Sequence, residues 1–201
     1  MAKLFDLDEL KQQAMETAGS GILKDSFLDV HLARIENIRQ LAGALPGEGE
    51  VYFLWTLNSF NAFTFIPYLV KSAGVIEELI LSTYSMSTRI LNALAHYLDR
   101  GRIAKVHVLI SDSVKFRLPR GNEQLTILCN QRPGQFVVSY GWNHSKITLM
   151  HTRDGHYLVE GSGNFSENAQ FEQYIFMNSQ KVFEFRKDSI HDLLRGTEKN
   201  H

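Results

Sequence analysis

The sequence predicts an α/β protein, a mixed sheet flanked by helices, with an N-terminal helical arm. Three observations predict it. Near-continuous apolar runs at 51–56, 78–85 and 105–111 are separated by stretches of helical spacing, the pattern of strands joined by crossover helices in a mostly parallel sheet covered on both faces. The last third changes rhythm, to strand-like runs with short connections at 135–142, 144–152, 156–164 and 171–178. Ahead of the first strand, residues 5–17 and 25–45 carry apolar side chains at helical intervals.

Taken in chain order, Asp25-Ser26 is a candidate cap for the second arm helix. Its apolar positions include Phe27, Leu28, Leu32, Ile35, Ile38 and Leu41. The stretch LPGEGE at 45–50 reads as a joint, so the arm is placed at 1–47 and the main domain at 48–195. Helices are expected over 59–73 and 87–101, the latter ending at Gly101. Residues 112–134, with KFRLPRG and QRPG, read as irregular or partly helical. A last helix at about 180–194 carries Val182, Phe183, Phe185, Ile190, Leu193 and Leu194, and 196–201 reads as a disordered tail.

Composition narrows the function. The chain has 201 residues, 44% hydrophobic and 21% charged, as in an ordinary soluble globular protein long enough to bury a sizeable core. The net charge of −1 supplies no overall field towards nucleic acid or acidic lipid, so a nucleic-acid role needs a local basic groove. A single cysteine, Cys129, cannot form an internal disulfide and suits a reducing, cytoplasmic setting. The charged start lacks the apolar core of a signal peptide. Residues 51–70 have the length of a bilayer span, but Asn58, Ser59 and Asn61 interrupt them and Pro67 follows, so a buried strand running into a core helix is expected and no membrane contact.

The segment from Trp142 to Phe176 concentrates the chemistry: His144, Lys146, Ser162, Asn164 and Glu172 lie in what otherwise reads as buried sheet. In a strand, His144 and Lys146 share a face. A two-residue Asp154-Gly155 turn would pair Lys146 with Gly163. A three-residue loop, Arg153 to Gly155, would instead place Lys146 opposite Ser162 and His144 opposite Asn164, gathering all four on one face. Asp-Gly supports either. A neutral imidazole can act as nucleophile or acid/base near neutral pH. Lysine, asparagine and serine can hold phosphate oxygens as charge builds on them, and a carboxylate can orient a histidine.

HSK at 144–146, GSGN at 161–164 and the later Glu172 resemble the phospholipase D superfamily pattern, H-x-K-x4-D followed by G-S-x-N. The resemblance implies a phospholipase D-like sheet and metal-independent phosphodiester chemistry without a cofactor. One histidine attacks phosphorus to give a phosphohistidine, and a second protonates the leaving oxygen. This sequence has one motif, which implies a homodimer with both copies meeting at a two-fold axis, as in the family's small bacterial or phage endonuclease-like members. Carried over, His144 is nucleophile in one subunit and acid/base in the other, Lys146, Asn164 and Ser162 bind phosphate oxygens, and Glu172 orients the imidazole. One position departs: the pattern's Asp falls on His151.

Nucleic acid is the expected substrate, because no amphipathic or aromatic membrane-docking segment stands out. Lys115, Arg117 and Arg120 are the best local basic patch for a phosphate backbone, with Arg132 adjoining. Asn58, Ser59 and Tyr84, near strand ends, are candidates to line the cleft, or else are helix caps. No zinc spacing is present among the eight histidines, so no metal is expected. Two rivals remain: a catalytically degenerate module that binds nucleic acid or mediates assembly, which His151 favours, and a protein that works through a partner held by residues 1–45.

Overall fold

The computed structural model describes residues 29–41, 43–57, 61–166 and 171–198. The expected helix at 5–17, and the caps Asp25 and Ser26, fall outside them. Eight strands form one sheet: β1 (Asp29–Ile35), β2 (Glu50–Thr56), β3 (Ile76–Thr83), β4 (Val106–Ser111), β5 (Phe136–Gly141), β6 (Ile147–Thr152), β7 (Gly155–Gly161) and β8 (Gln173–Asn178). Their spatial order is β1-β2-β8-β7-β6-β3-β4-β5. The helices are α1 (Phe65–Ala73), α2 (Thr88–Asp99), the single turn α3 (Val114–Arg117), α4 (Pro119–Gln131) and α5 (Gln180–Glu198).

The mixed α/β architecture is as expected, while its seam is not. β1 pairs parallel with β2, and β3, β4 and β5 pair parallel in turn; between these blocks β8, β7 and β6 pair antiparallel throughout. The sheet is therefore not mostly parallel, because the C-terminal hairpin strands insert between β2 and β3. Residues 29–35, read above as part of a helix, form an edge strand. Val30 and Leu32 align with Val51 and Phe53 on one face, and Ile35 packs into the core on the other. The sheet thus begins before residue 48, and among the described residues of the expected 25–45 helix only Ile38–Leu41 are helical, as a 3-10 turn.

Within residues 51–70 lie most of β2 and the start of α1, and among the described residues no helix is long and apolar enough to cross a membrane. Pro119 sits at the first position of α4, where its missing N–H removes no helical hydrogen bond, so much of the 112–134 stretch is helical. α5 continues to Glu198, so residues 196–198 extend the helix rather than form a tail.

One sheet face packs on α1 and α2, with Phe65, Leu69, Leu91, Leu94, Tyr174 and Phe176 fully buried. Each such side chain contributes about 1.5–3 kcal/mol. On the other face α5 sets Phe183 and Ile190 against Ile80, Leu109, Leu149 and Leu158. Histidines line this second contact. His156 stacks on His151, with ring centroids 4.5 Å apart, and meets the edge of Phe183; His107 lies 6.3 Å from His191 of α5 and bonds Ser139 at 3.0 Å.

Burial, then the neighbouring His191 and Lys105, lowers the His107 pKa against an opposing Glu78. Burial, then His151, lowers that of His156 against Glu184 and Glu48. With folded values below the ordinary 6.5, the unfolded chain binds more protons just under that pH, so stability present at neutral pH is lost on acidification. Thermal melts between about pH 7.5 and 5.5 are expected to show a Tm that falls below about pH 6.5. His107→Gln with His156→Gln is expected to flatten that slope.

Candidate functional site

The C-terminal ends of β2, β3, β4 and β7 and the N-terminal starts of β6 and β8 meet along one sheet edge, as their pairing directions require. Open α/β sheets place ligand sites along such an edge. The segment 143–146 crosses it under the control of Asn143, a buried residue. Its amide nitrogen reaches Ser82 Oγ at 3.0 Å, the Thr83 carbonyl at 3.2 Å and the Leu109 carbonyl at 3.4 Å. Its amide oxygen accepts from the Ser145 N–H at 3.0 Å and the Ser145 hydroxyl at 2.7 Å. Ser145 and Ser82 share a further hydroxyl contact.

His144 is held out from this clamp, exposed, with its ring 4.9 Å from that of Tyr84. The Arg117 guanidinium lies over the Tyr84 ring, 5.0 Å from its centroid. Lys146 Nζ lies 3.1 Å from His144 Nδ1 and donates to the His144 carbonyl at 2.7 Å. Desolvation lowers the Lys146 pKa, and the Glu172 carboxylate opposes that shift, which places the two charges within each other's field.

The second half is built around Glu172, only 6% exposed. Its backbone is laced to Thr56 at the end of β2: the Glu172 N–H donates to Thr56 Oγ1 at 2.8 Å, and its carbonyl accepts the Thr56 N–H at 2.9 Å and hydroxyl at 3.0 Å. Its carboxylate accepts the Ser162 hydroxyl. Asn164 Oδ1 accepts weakly from Thr83 Oγ1 at 3.5 Å, and the Phe165 carbonyl takes the Ser87 N–H at 2.8 Å, which ties GSGN to the end of β3. Burial, reinforced by Glu172, pushes the Tyr174 hydroxyl well up, so it stays protonated. The two glycines exist for Tyr174. A Cβ at Gly161 would fall within 2.5 Å of the Gln173 carbonyl oxygen as well as against the Tyr174 ring, and one at Gly163 would strike the Tyr174 hydroxyl.

His144, Lys146, Ser162, Asn164 and Glu172 therefore stand along one edge, but neither sequence-based register brings them there. Thr152 pairs with Gly155 and His151 with His156, so the turn is Arg153-Asp154 and Lys146 lies opposite Gly161. Gly155 belongs to β7 because it is packed beneath Tyr157 and Asn178, where a Cβ would not fit. His144 and Lys146 precede β6, so loop clamps rather than strand parity position them. His151 sits near the far end of β6, on the α5 side with His156 and Phe183, away from the cluster.

Of the basic patch, Arg117 joins the site through Tyr84. Lys115 caps the Tyr140 ring at 4.4 Å and Arg120 is exposed on the first turn of α4. Arg132 does not adjoin them, since it closes the far end of α4 with a two-pronged bond to Asp99. Asn58 and Ser59 lie outside the described residues. Among those described, no group of three or more His, Cys, Asp and Glu is placed to hold a metal ion. Sequence reasoning missed Asn143, Thr56 and Arg117's stacking route; only the run of polar residues directly ahead of Lys146 hinted at the first.

No protein-family model matches the chain, and no curated protein does. Among solved structures, a polyphosphate kinase from Porphyromonas gingivalis superposes with a TM-score of 0.52 at 17% identity, over 73% of this chain and 26% of the kinase. A phosphatidylserine synthase from Haemophilus influenzae Rd KW20 gives a TM-score of 0.49 at 15% identity, over 72% of this chain and 38% of the synthase. The chain thus spans well under half the length of either. The likeness to the kinase is one of fold, and that fold is the phospholipase D-like mixed sheet flanked by helices.

Asn143→Ala strands the groups it bridges and is expected to lower stability by about 1–3 kcal/mol in urea unfolding. Gly161→Ala is expected to lose about 1–3 kcal/mol by overpacking against Tyr174 and the Gln173 backbone, read out in the same way.

Proposed function

We propose that this chain belongs to the phospholipase D superfamily and is a metal-independent phosphodiesterase acting on nucleic acid through a phosphohistidine, in a site completed by a second copy. The observation that carries the reading is the contact of Lys146 Nζ with His144 at a strand-end edge shared with Ser162, Asn164 and Glu172. A phosphate bound there takes over the Lys146 donors and frees the ring nitrogen. His144 then attacks phosphorus, an N–P bond forms and the P–O bond to the leaving group breaks. The departing alkoxide takes a proton from the imidazolium of the second copy's equivalent histidine. That imidazole next removes a proton from water, hydroxide attacks phosphorus, and the N–P bond breaks to restore His144. Lys146 and Asn164 stabilise the charge building on the non-bridging oxygens. Through Ser162, Glu172 fixes the loop that carries Asn164.

The position of His151 supports catalysis over the degenerate binding module. It lies on the α5 side near the far end of β6, so the departure from the family pattern leaves the cluster's own side chains in place.

The test is hydrolysis of DNA, RNA and a chromogenic phosphodiester in excess EDTA, with oligomeric state measured by sedimentation. His144→Ala is expected to lose at least about a thousandfold in kcat while staying folded. Turnover that survives this substitution would overturn the assignment of the nucleophile. A folded wild type inert on every substrate would favour the binding module.

A further inference from the structure

α5 covers only part of its sheet face, packing on the β5 and β7 side. Beyond it, β1, β2 and β8 leave a strip whose residues should be buried in a self-sufficient domain. Leu32 is 80% exposed, Trp55 49% and Phe53 42%. The pairing register puts Arg34 beside Trp55 and Ile175 beside Phe53. A groove of about 870 Å³ runs along this strip, walled by Arg186 and lined at one end by His144 and Lys146. Glu160 holds Arg186 by a two-pronged bond, so Arg34 and Lys146 set the sign of the groove's floor.

We infer that this groove receives an unpaired nucleic-acid strand, with one phosphate at His144 and Lys146 and the bases beside it stacked on Trp55 and Phe53. The inference rests on the phosphodiesterase reading for its phosphate end. Aromatic faces interleaved with cations are the means by which proteins hold single strands without reading sequence. The volume is that of a ligand cleft, about 300–1,000 Å³, and bases within a duplex are already stacked and have no free face to offer. The aromatic rings lie on a concave floor, where the flat surface of a bilayer does not reach. Trp142, two residues before His144, is 92% exposed and is not part of the groove's lining.

The protein has two tryptophans, Trp55 and Trp142, so its own fluorescence reports the site. The full chain carrying His144→Ala, to prevent cleavage, and Trp142→Phe, to isolate Trp55, is titrated in EDTA. The titrants are short oligothymidylate, its duplex with oligoadenylate, an abasic oligomer of equal charge, and vesicles of phosphatidylglycerol and phosphatidylcholine. Saturable quenching by the single strand is expected, with binding of the abasic oligomer and of the duplex at least about tenfold weaker. Trp55→Ala should weaken single-strand binding about tenfold by anisotropy of a labelled oligomer, and Trp55→Phe should restore it.

Equal binding of the abasic oligomer or the duplex would overturn the inference, as would quenching by vesicles alone. Trp55 emission shielded from acrylamide in the free protein would also overturn it, by showing the groove filled by a second copy or by residues 1–28. Hydrolysis of the chromogenic phosphodiester by wild type separates the two readings. Turnover without base-dependent quenching removes the groove alone, whereas base-dependent quenching without turnover of any phosphodiester removes the phosphodiesterase and leaves the groove.

Discussion

One buried side-chain amide holds the reactive edge together. Asn143 ties the segment carrying His144 and Lys146 to the ends of β3 and β4, and it does so from a site where water cannot substitute for a lost partner. A buried amide with both ends engaged fixes position and orientation together, so the His144 backbone has little freedom even though its ring faces solvent. Ser145 closes the same clamp from the opposite side through Ser82. Thr56 performs the matching task for Glu172 at the end of β2. His144 and Lys146 are thus exposed or half-exposed beside the buried Asn143, whereas Glu172 is itself buried and is held by the buried Thr56.

The sequence was legible where a signal is local. Near-continuous apolar runs located β2 to β4 and strand-like runs with short connections located β5 to β8, and Gly101, with its positive φ of 63°, closed α2 as its position implied. The residues of the cluster were legible because their spacing is that of a known pattern. β1 was misread because Leu32 and Ile35 satisfy a helical interval, while the strand's two faces only become distinguishable once β2 lies beside it. Residues 112–134 were read only as irregular or partly helical, because a proline in the run hides the fact that at a helix start it is favourable. The hairpin register turned on whether Gly155 was turn or strand, and the answer came from packing under Tyr157 and Asn178, which no short window contains.

Long-range roles were invisible for the same reason. The bond between Thr56 and Glu172 spans 116 residues, and that between Asn143 and Ser82 spans 61. Arg117 reached the site through an aromatic ring rather than through a contact of its own with His144. Charge patterning alone grouped it with Lys115, Arg120 and Arg132, three residues that the fold sends to different surroundings.

The seam of the sheet has a bearing on assembly. The parallel blocks β1-β2 and β3-β4-β5 do not touch one another; β8, β7 and β6 lie between them, and these follow both blocks in the chain. Until they arrive, β2 and β3 each present an open edge, and pairing them must close loops of more than a hundred residues in the case of β2 with β8. The same late strands bring the segments that bear Ser162 and Glu172. A chain that stops short of β8 consequently holds half a sheet and none of the assembled cluster, so His144 and Lys146 gain their neighbours Ser162 and Glu172 only once β7 and β8 have joined.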